Sequence, residues 1–379
     1  MAKETMTSEE RLWSAIRLEK PDRVPVAPLM STAAASTLMN LDPAKVYASA
    51  QDQLDAEIKA FDAFGGWDGV IGSPLSAEEL GLYFKIRKPG VDEGVTELQT
   101  IEEENTKFED YDTITEIGLY PYLMEHLVPR LHNISPEEGT QLTDNVQTTL
   151  LEVGMRGLVE YQERGAAPLF PVWYPHPFFQ LSLTRSMVSL TEDIYYHPEV
   201  VDKAMKASMQ QYIEMGIEIC QATGLNMCNC TEERAGAAIY PLNVFERFWW
   251  PYAREVVDAF WSEGIVTWFH LDTNWIKNLP YFKELPKGSA IIDLDGTTDI
   301  FAAKEILRGH LCISSDVHAT LLSLGTPEEV ENYCKKVIDE VGGDGGLILS
   351  TGCTVPGAIK PENFRAMIET GKNYELSKK

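Results

Sequence analysis

The sequence is short of positive charge. It has 32 Lys and Arg against 58 Asp and Glu, a formal net charge of −26 at pH 7 and a pI near 4.6. Nucleic acid and anionic membrane surfaces both require a basic footprint, so neither is expected as a partner. A highly anionic substrate is disfavoured for the same reason, unless arginine and lysine are gathered locally. No apolar run approaches the length of a membrane span. The N-terminal segment is acidic and amphipathic and lacks an apolar h-region, so no secretory signal is expected. Cysteine is sparse, with six residues at 220, 228, 230, 312, 334 and 353. Scattered in this way, they predict no disulfide framework and a reducing cytoplasm. No stretch rich in Gly, Pro or Ser divides the chain, so its 379 residues are expected to form one domain.

What is present is an alternation of short apolar strands and amphipathic helices. Thr7-Ser8-Glu9-Glu10 reads as a capping box that opens a helix to about Leu18, with Leu12, Trp13 and Ile16 on one face. Strands are predicted over 24–28, 68–73, 169–173, 225–230, 265–269, 289–294, 311–315 and 347–350. Helices are predicted over 43–63, 190–222, 243–262, 298–307, 327–341 and 361–372. Strands in this number, most followed by a helix, predict an α/β fold of the (β/α)8 TIM-barrel kind. A doubly wound open sheet is the alternative, but it needs no eighth strand. The long stretch at about 74–168, after the second strand, predicts a hairpin about Pro89-Gly90 with arms at 83–86 and 95–98, and further helices. An insertion there lies over the mouth of a barrel and reads as a lid.

Active sites of such barrels lie at the C-terminal ends of the strands. The strand over 265–269 runs into His270-Leu271-Asp272. Side chains two apart on a strand project the same way, so an imidazole and a carboxylate stand together at the rim. Spacing alone leaves metal binding and acid/base chemistry both open. Other strand ends supply Trp173, Tyr174, His176, Phe178 and Phe179, then Glu232 and Glu233, Asp293 and Asp295, Asp316 and His318, and Cys353. Imidazole, carboxylate and thiol together suit Zn²⁺. The aromatic row 173–179 is interrupted by Pro175 and Pro177, which makes it a loop, and loop aromatics suit an apolar small-molecule pocket. Cys228 and Cys230 are two apart and read as packed thiols facing the barrel core.

Several segments resemble the uroporphyrinogen decarboxylase superfamily. They are Glu10-Arg11, Leu18 to Val26, Phe245 to Tyr252, Asp316 followed by Leu324 to Val330, Ser350 to Cys353, and Lys360 to Asn363. The resemblance runs along nearly the whole chain and implies a (β/α)8 barrel. The decarboxylase proper binds a polycarboxylate tetrapyrrole through an arginine-rich segment after the first strand. Here that segment is Pro28 to Ser36, and no arginine occurs between Arg23 and Arg87, which disfavours that activity. The other branch comprises zinc-containing, corrinoid-dependent methyltransferases, whose metal motif is H-x-C followed by a distant cysteine in a Gly-Cys loop. His270 and Cys353 stand in those places, and Asp272 stands where the motif has its first cysteine.

The resemblance implies zinc held by His270 and Cys353; Asp272 and Glu233 are the expected further ligands, and Glu232 or a water can equally take the fourth position. A carboxylate in place of a thiolate makes zinc harder and better suited to an ether or phenolate oxygen than to a thiolate. It further implies a methyltransferase that moves a methyl group from a small-molecule O-methyl donor, a methoxylated aromatic compound, to the Co(I) corrinoid (cobalamin) of a partner protein. Asp316 or His318 would orient the substrate or protonate the leaving group. Trp173, Tyr174, His176, Phe178 and Phe179 would line the substrate pocket. The alternatives are a methylcobamide:thiol methyltransferase, in which zinc activates the thiol, and a non-catalytic corrinoid- or tetrapyrrole-binding barrel. A homodimer is compatible with each.

Overall fold

Apolar runs too short for a helix become strands when a polar or glycine turn ends them. The computed structural model describes residues 4–375. Its strands are β1 (Gly69–Val70), β2 (Lys85–Arg87), β3 (Gln99–Ile101), β4 (Ala167–Pro168), β5 (Met227–Glu232), β6 (Val266–Leu271), β7 (Ala290–Leu294), β8 (Cys312–Val317) and β9 (Leu347–Thr351). β5 to β9 form one parallel sheet in sequence order, and β1 pairs in parallel with β4. Every residue of β5 to β9 is buried, as a parallel sheet covered on both faces requires.

Backbone hydrogen bonds join the remaining positions. Ala27 N donates to Leu349 O and Leu349 N to Pro25 O, each at 2.9 Å. Asp68 N donates to Val26 O at 2.8 Å, Ala167 N to Asp68 O at 2.8 Å, and Thr231 N to Tyr174 O at 3.1 Å. The strand positions read from the sequence are therefore neighbours in chain order, an α/β arrangement of TIM-barrel type. Two are less regular than expected. Residues 24–28 pair only through a bridge at Val26. The 169–173 position is reduced to β4 and a bridge at Pro175, because Pro168, Pro171 and Pro175 have no N–H to give a ladder. The helices expected over 190–222 are two, Met187–Tyr196 and Pro198–Thr223. Pro198 removes an N–H and drives His197 out of helical geometry.

Alternation along the strands sets two cores. Met227, Val266, Trp268, Ile291, Cys312 and Ile348 face inward, with Leu12, Ala15 and Ile16 of helix Ser8–Ile16 packed against them. Cys228 and Cys230 point the opposite way, into the layer between strands and helices, which corrects their expected direction. All six thiols are free. Helix Ser8–Ile16 opens with the expected Thr7/Glu10 capping box and is anchored by buried charge. Arg11 donates to Asp22 and to Asp68, each at 2.6 Å, and Arg23 donates to Asp68 at 2.6 Å. Two guanidinium groups satisfy one buried carboxylate, so none of these charges is left unpaired. This network ties Glu10-Arg11 and Pro21 to Arg23 to the start of the second strand position.

The segment between β1 and β4 holds helix Ala77–Tyr83, the antiparallel pair β2–β3, helix Asp110–Ile117 and helix Pro136–Glu163. The hairpin's second arm lies at Gln99–Ile101, beyond the expected 95–98. Among the described residues, no helix is long and apolar enough to cross a membrane.

Candidate metal centre

β6 runs two residues further than the apolar pattern shows, so His270 lies within the strand and Asp272 just past its end. Alternation from Trp268 keeps both on the inner side. The register of β6 and β7 places Asp293 beside His270. His270 Nδ1 lies 2.6 Å from Asp293 Oδ2. That carboxylate accepts the Nδ1 proton and leaves Nε2 as the free donor atom, the second-sphere arrangement usual for a metal-binding imidazole. Nε2 lies 3.4 Å from Asp272 Oδ1 and 3.6 Å from Cys353 Sγ, and Sγ lies 3.7 Å from Asp272 Oδ2. One ligand atom from each of the three falls within 4.8 Å of the others. Asp272 Oδ1 is buried without a hydrogen-bond partner.

The electrostatics suit a bound cation. Burial raises the Asp272 carboxyl above its ordinary range, and His270 only partly offsets this. Burial likewise raises the Cys353 thiol, again against His270. Glu233, half-buried after β5, is pushed up to about 7 by burial and by Asp272, with His270 opposing. Burial alone would lower His270, but Asp272, Asp293 and Cys353 outweigh it and hold its pKa well above the ordinary value. Several acidic groups thus crowd one imidazole. A divalent cation would neutralise them, and the donor set of imidazole, thiolate and carboxylate is one that zinc accepts. Three protein ligands with a further position open is the pattern of catalytic rather than structural zinc. Glu233 lies close enough to feel both His270 and Asp272, yet stands outside the three-atom group.

Of the expected aromatic row, Trp173 alone is shown against this group. Its ring meets His270 edge-on at 5.4 Å and stays partly exposed. Tyr174 turns outward, stacks on Tyr212 at 4.3 Å and donates its hydroxyl to Tyr212 O at 2.7 Å. Phe178 is fully buried beside Tyr240, and Phe179 is buried on the same helix, Pro177–Thr184. The row is not an exposed loop. His176 N pairs with Thr231 O, and Pro177 opens a helix at its first position. His176 itself is buried against Tyr212 and Trp249, and burial lowers it to about 3. Its Nδ1 accepts from Phe178 N at 3.2 Å. The expected pocket role of Tyr174, His176 and Phe178 is therefore replaced by packing. Glu232 also faces away, with Oε1 accepting from Arg234 N and Ala235 N.

Asp316 and His318 are brought together by a residue that sequence reasoning missed. Tyr333, on helix Pro327–Glu340, donates to Asp316 Oδ1 at 2.8 Å and lies 3.0 Å from His318 Nε2. Burial pushes Asp316 up to about 7. Burial also lowers His318, which is half-buried. Asp293 and Asp295 were visible in the sequence at a strand end, but nothing there showed which side chains they hold. No local pattern could have found Tyr333, which reaches Asp316 from a different element.

Comparison with known proteins agrees with this fold. Two curated relatives are the methylcobamide:CoM methyltransferase MtbA of Methanosarcina mazei and that of Methanosarcina acetivorans. The first is 29% identical over 130 residues, 34% of this chain and 37% of that protein. The second is 29% identical over 131 residues, 35% of this chain and 37% of that protein. The chain thus matches little more than a third of the length of these relatives. A solved methyltransferase from Methanosarcina mazei superposes over 97% of this chain and 98% of its own, with a TM-score of 0.69 at 13% identity, a likeness of fold. The model of the uroporphyrinogen decarboxylase (URO-D) family matches residues 181–374. That match takes in just over half of the sequence, including β5 to β9 with His270, Asp272 and Cys353, and the chain belongs to the URO-D family.

Proposed function

We propose that this protein is a zinc-dependent methyltransferase of a corrinoid-dependent system, and that it takes the methyl group from a methoxylated aromatic donor. The observation that carries the reading is the group formed by His270 Nε2, Asp272 and Cys353 Sγ, with Nδ1 tied to Asp293. The names of the MtbA relatives support methyl transfer involving a corrinoid. The carboxylate in place of a second thiolate supports an oxygen rather than a sulfur substrate. His270, Asp272 and Cys353 would hold zinc, with Glu233 beside them, and the ion would supply Lewis acidity toward the ether oxygen.

The chain's own residues do the rest. Trp173 offers a ring face and edge against which an aromatic donor can pack beside His270. Asp316, raised to about 7, can hold a proton at neutral pH and give it to the departing phenolate oxygen. The methyl carbon–oxygen bond breaks with the electron pair left on oxygen. The bond to the acceptor forms with the electron pair of Co(I) on a partner protein. The two events would be in line, so the acceptor would approach the methyl face opposite the oxygen. The segment between β1 and β4 would act as the lid over that mouth, in a cytoplasmic protein of one domain.

A second reading, a methylcobamide:thiol methyltransferase, is favoured by the relatives' names. One experiment separates them. Purified protein is given Co(I) cobalamin and a methoxylated benzoate, and in parallel methylcobalamin and a small thiol, with the cobalamin spectrum followed in both. Methylcobalamin formation in the first mixture, lost in His270→Ala, supports the proposal. Turnover only in the second mixture overturns it in favour of the thiol enzyme.

A further inference from the structure

Asp272 is followed by Thr273, whose φ is +72°. A β-branched residue rarely enters this left-handed region, and the Thr273 hydroxyl is also buried without a partner. Both features cost stability, so something must hold the turn. Four hydrogen bonds tie it to the segment 295–298. Thr273 N donates to Asp295 Oδ2 at 2.8 Å, and Asn274 Nδ2 to Thr297 O at 2.9 Å. Trp275 N donates to Thr298 Oγ1 at 2.9 Å, and that hydroxyl donates to Thr273 O at 3.2 Å. The other oxygen of Asp295, Oδ1, accepts from Thr297 N and Oγ1, at 2.8 and 2.7 Å, which fixes the carboxylate's own orientation.

The same segment touches the loop that carries Cys353. A Cβ on Gly352 would stand 2.5 Å from Asp295 O and 3.3 Å from Gly296 N, so the two backbones are in direct contact. His318 closes the other side. A Cβ on Gly296, itself at φ +87°, would stand 2.6 Å from His318 Nδ1. His318 is held in turn by Tyr333, and Tyr333 by Asp316.

We infer that Asp295 is a positioning residue that sets Asp272 and Cys353 at their mutual distance, braced from behind by the chain Gly296–His318–Tyr333–Asp316. Its side chain fixes the turn that follows Asp272, and its backbone is the surface on which the Cys353 loop rests. The strained conformation at Thr273 is what aims the Asp272 carboxylate toward His270. This inference rests on the metal reading of the site and adds the residue that assembles it.

The test is Zn²⁺ affinity, measured by competition with a chromophoric chelator on metal-stripped full-length protein, alongside thermal melting. Asp295→Ala is expected to weaken Zn²⁺ binding ~10–100-fold, the usual effect of removing a second-sphere partner. Asp295→Asn keeps an oxygen for the Thr273 N–H and is expected to lose less. Thr273→Gly keeps the N–H that Asp295 accepts and takes the left-handed φ without strain, so it should melt at or above the parent temperature and keep the parent's Zn²⁺ affinity. A purely structural role would lower the melting temperature and leave the Zn²⁺ affinity of the folded protein unchanged. Parent-like affinity in Asp295→Ala, when His270→Ala has lost binding, overturns the inference and leaves the metal site standing. If Asp295→Ala does not fold, parent-like affinity in Asp295→Ser, whose side chain is too short to reach Thr273 N, overturns it equally. Parent-like binding by His270→Ala removes the metal reading itself.

Discussion

His270 Nδ1 lies 2.6 Å from Asp293 Oδ2, and the two residues are register partners on the adjacent parallel strands β6 and β7. Same-face neighbours in a parallel sheet stand side by side, so the pairing of backbones delivers the carboxylate to the ring. Asp293 is completely buried and cannot be replaced in this role by solvent. Replacing it with alanine should release the ring and its tautomer and lower Zn²⁺ affinity ~10–100-fold. Asparagine, which can still accept from Nδ1–H, should cost less. Isothermal titration of metal-stripped protein reads both, and equal affinities for alanine and parent protein would remove Asp293 from the site.

The aromatic row should split into two kinds of residue. Trp173→Ala takes away the ring beside His270 and is expected to raise KM for an aromatic donor, with zinc content unchanged. Tyr174→Ala removes a ring stacked at 4.3 Å on Tyr212 and should cost ~3–5 kcal/mol of stability, as for other buried aromatics. Steady-state kinetics and urea unfolding on the two variants check this. A KM effect confined to Tyr174→Ala would reverse the assignment.

Stability should fall as pH rises through the range set by Glu57. Burial raises this carboxyl from 4.5 to about 8, with a hydrogen bond from Thr32 opposing. The folded state therefore keeps a proton that the unfolded state releases. The stability linked to it is fully present below pH 4.5 and is lost as pH climbs through about 8. Glu57→Gln keeps a neutral acceptor for Thr32 Oγ1, now 2.7 Å from Oε1, and should flatten the change in melting temperature across that window. Identical slopes in the two proteins would show that Glu57 is charged in the folded state.

Asp68 accepts from Arg11, from Arg23 and from Val26 N, all in a buried setting. Its removal leaves two guanidinium groups facing an empty volume. Asp68→Ala is expected to destabilise the fold by ~3–5 kcal/mol. Because the network lies at the end of helix Ser8–Ile16, far along the chain from the metal group, any Zn²⁺ bound by the folded fraction should keep its affinity. Denaturant unfolding with and without metal separates the two effects.

Much of the fold was legible because strand and helix periods are local. The apolar runs at 225–230, 265–269, 289–294, 311–315 and 347–350 all became strands, and the Thr7/Glu10 box opened its helix. Boundaries slipped by about two residues at β5 and β6, because polar residues such as Glu232 and His270 extend a strand when the neighbouring backbone offers partners. Cys228 and Cys230 were read as a pair on one side, which they are, but on the wrong side. The aromatic row failed for a related reason. Prolines at 175 and 177 look like loop signals, yet one sits at a strand bridge and the other at a helix start.

By itself the sequence determined that His270 and Asp272 project together, because side chains two apart on an extended backbone must do so. Its excess of acidic over basic residues also argues against nucleic acid as a partner. Only the tertiary structure decided that Asp293 holds the ring, that Asp295 accepts from Thr273 N in the turn after Asp272, and that Tyr333 joins Asp316 to His318. Those contacts depend on the register between strands and on which helix packs behind them. Both are set by the packing of the whole core rather than by any pattern within a single segment.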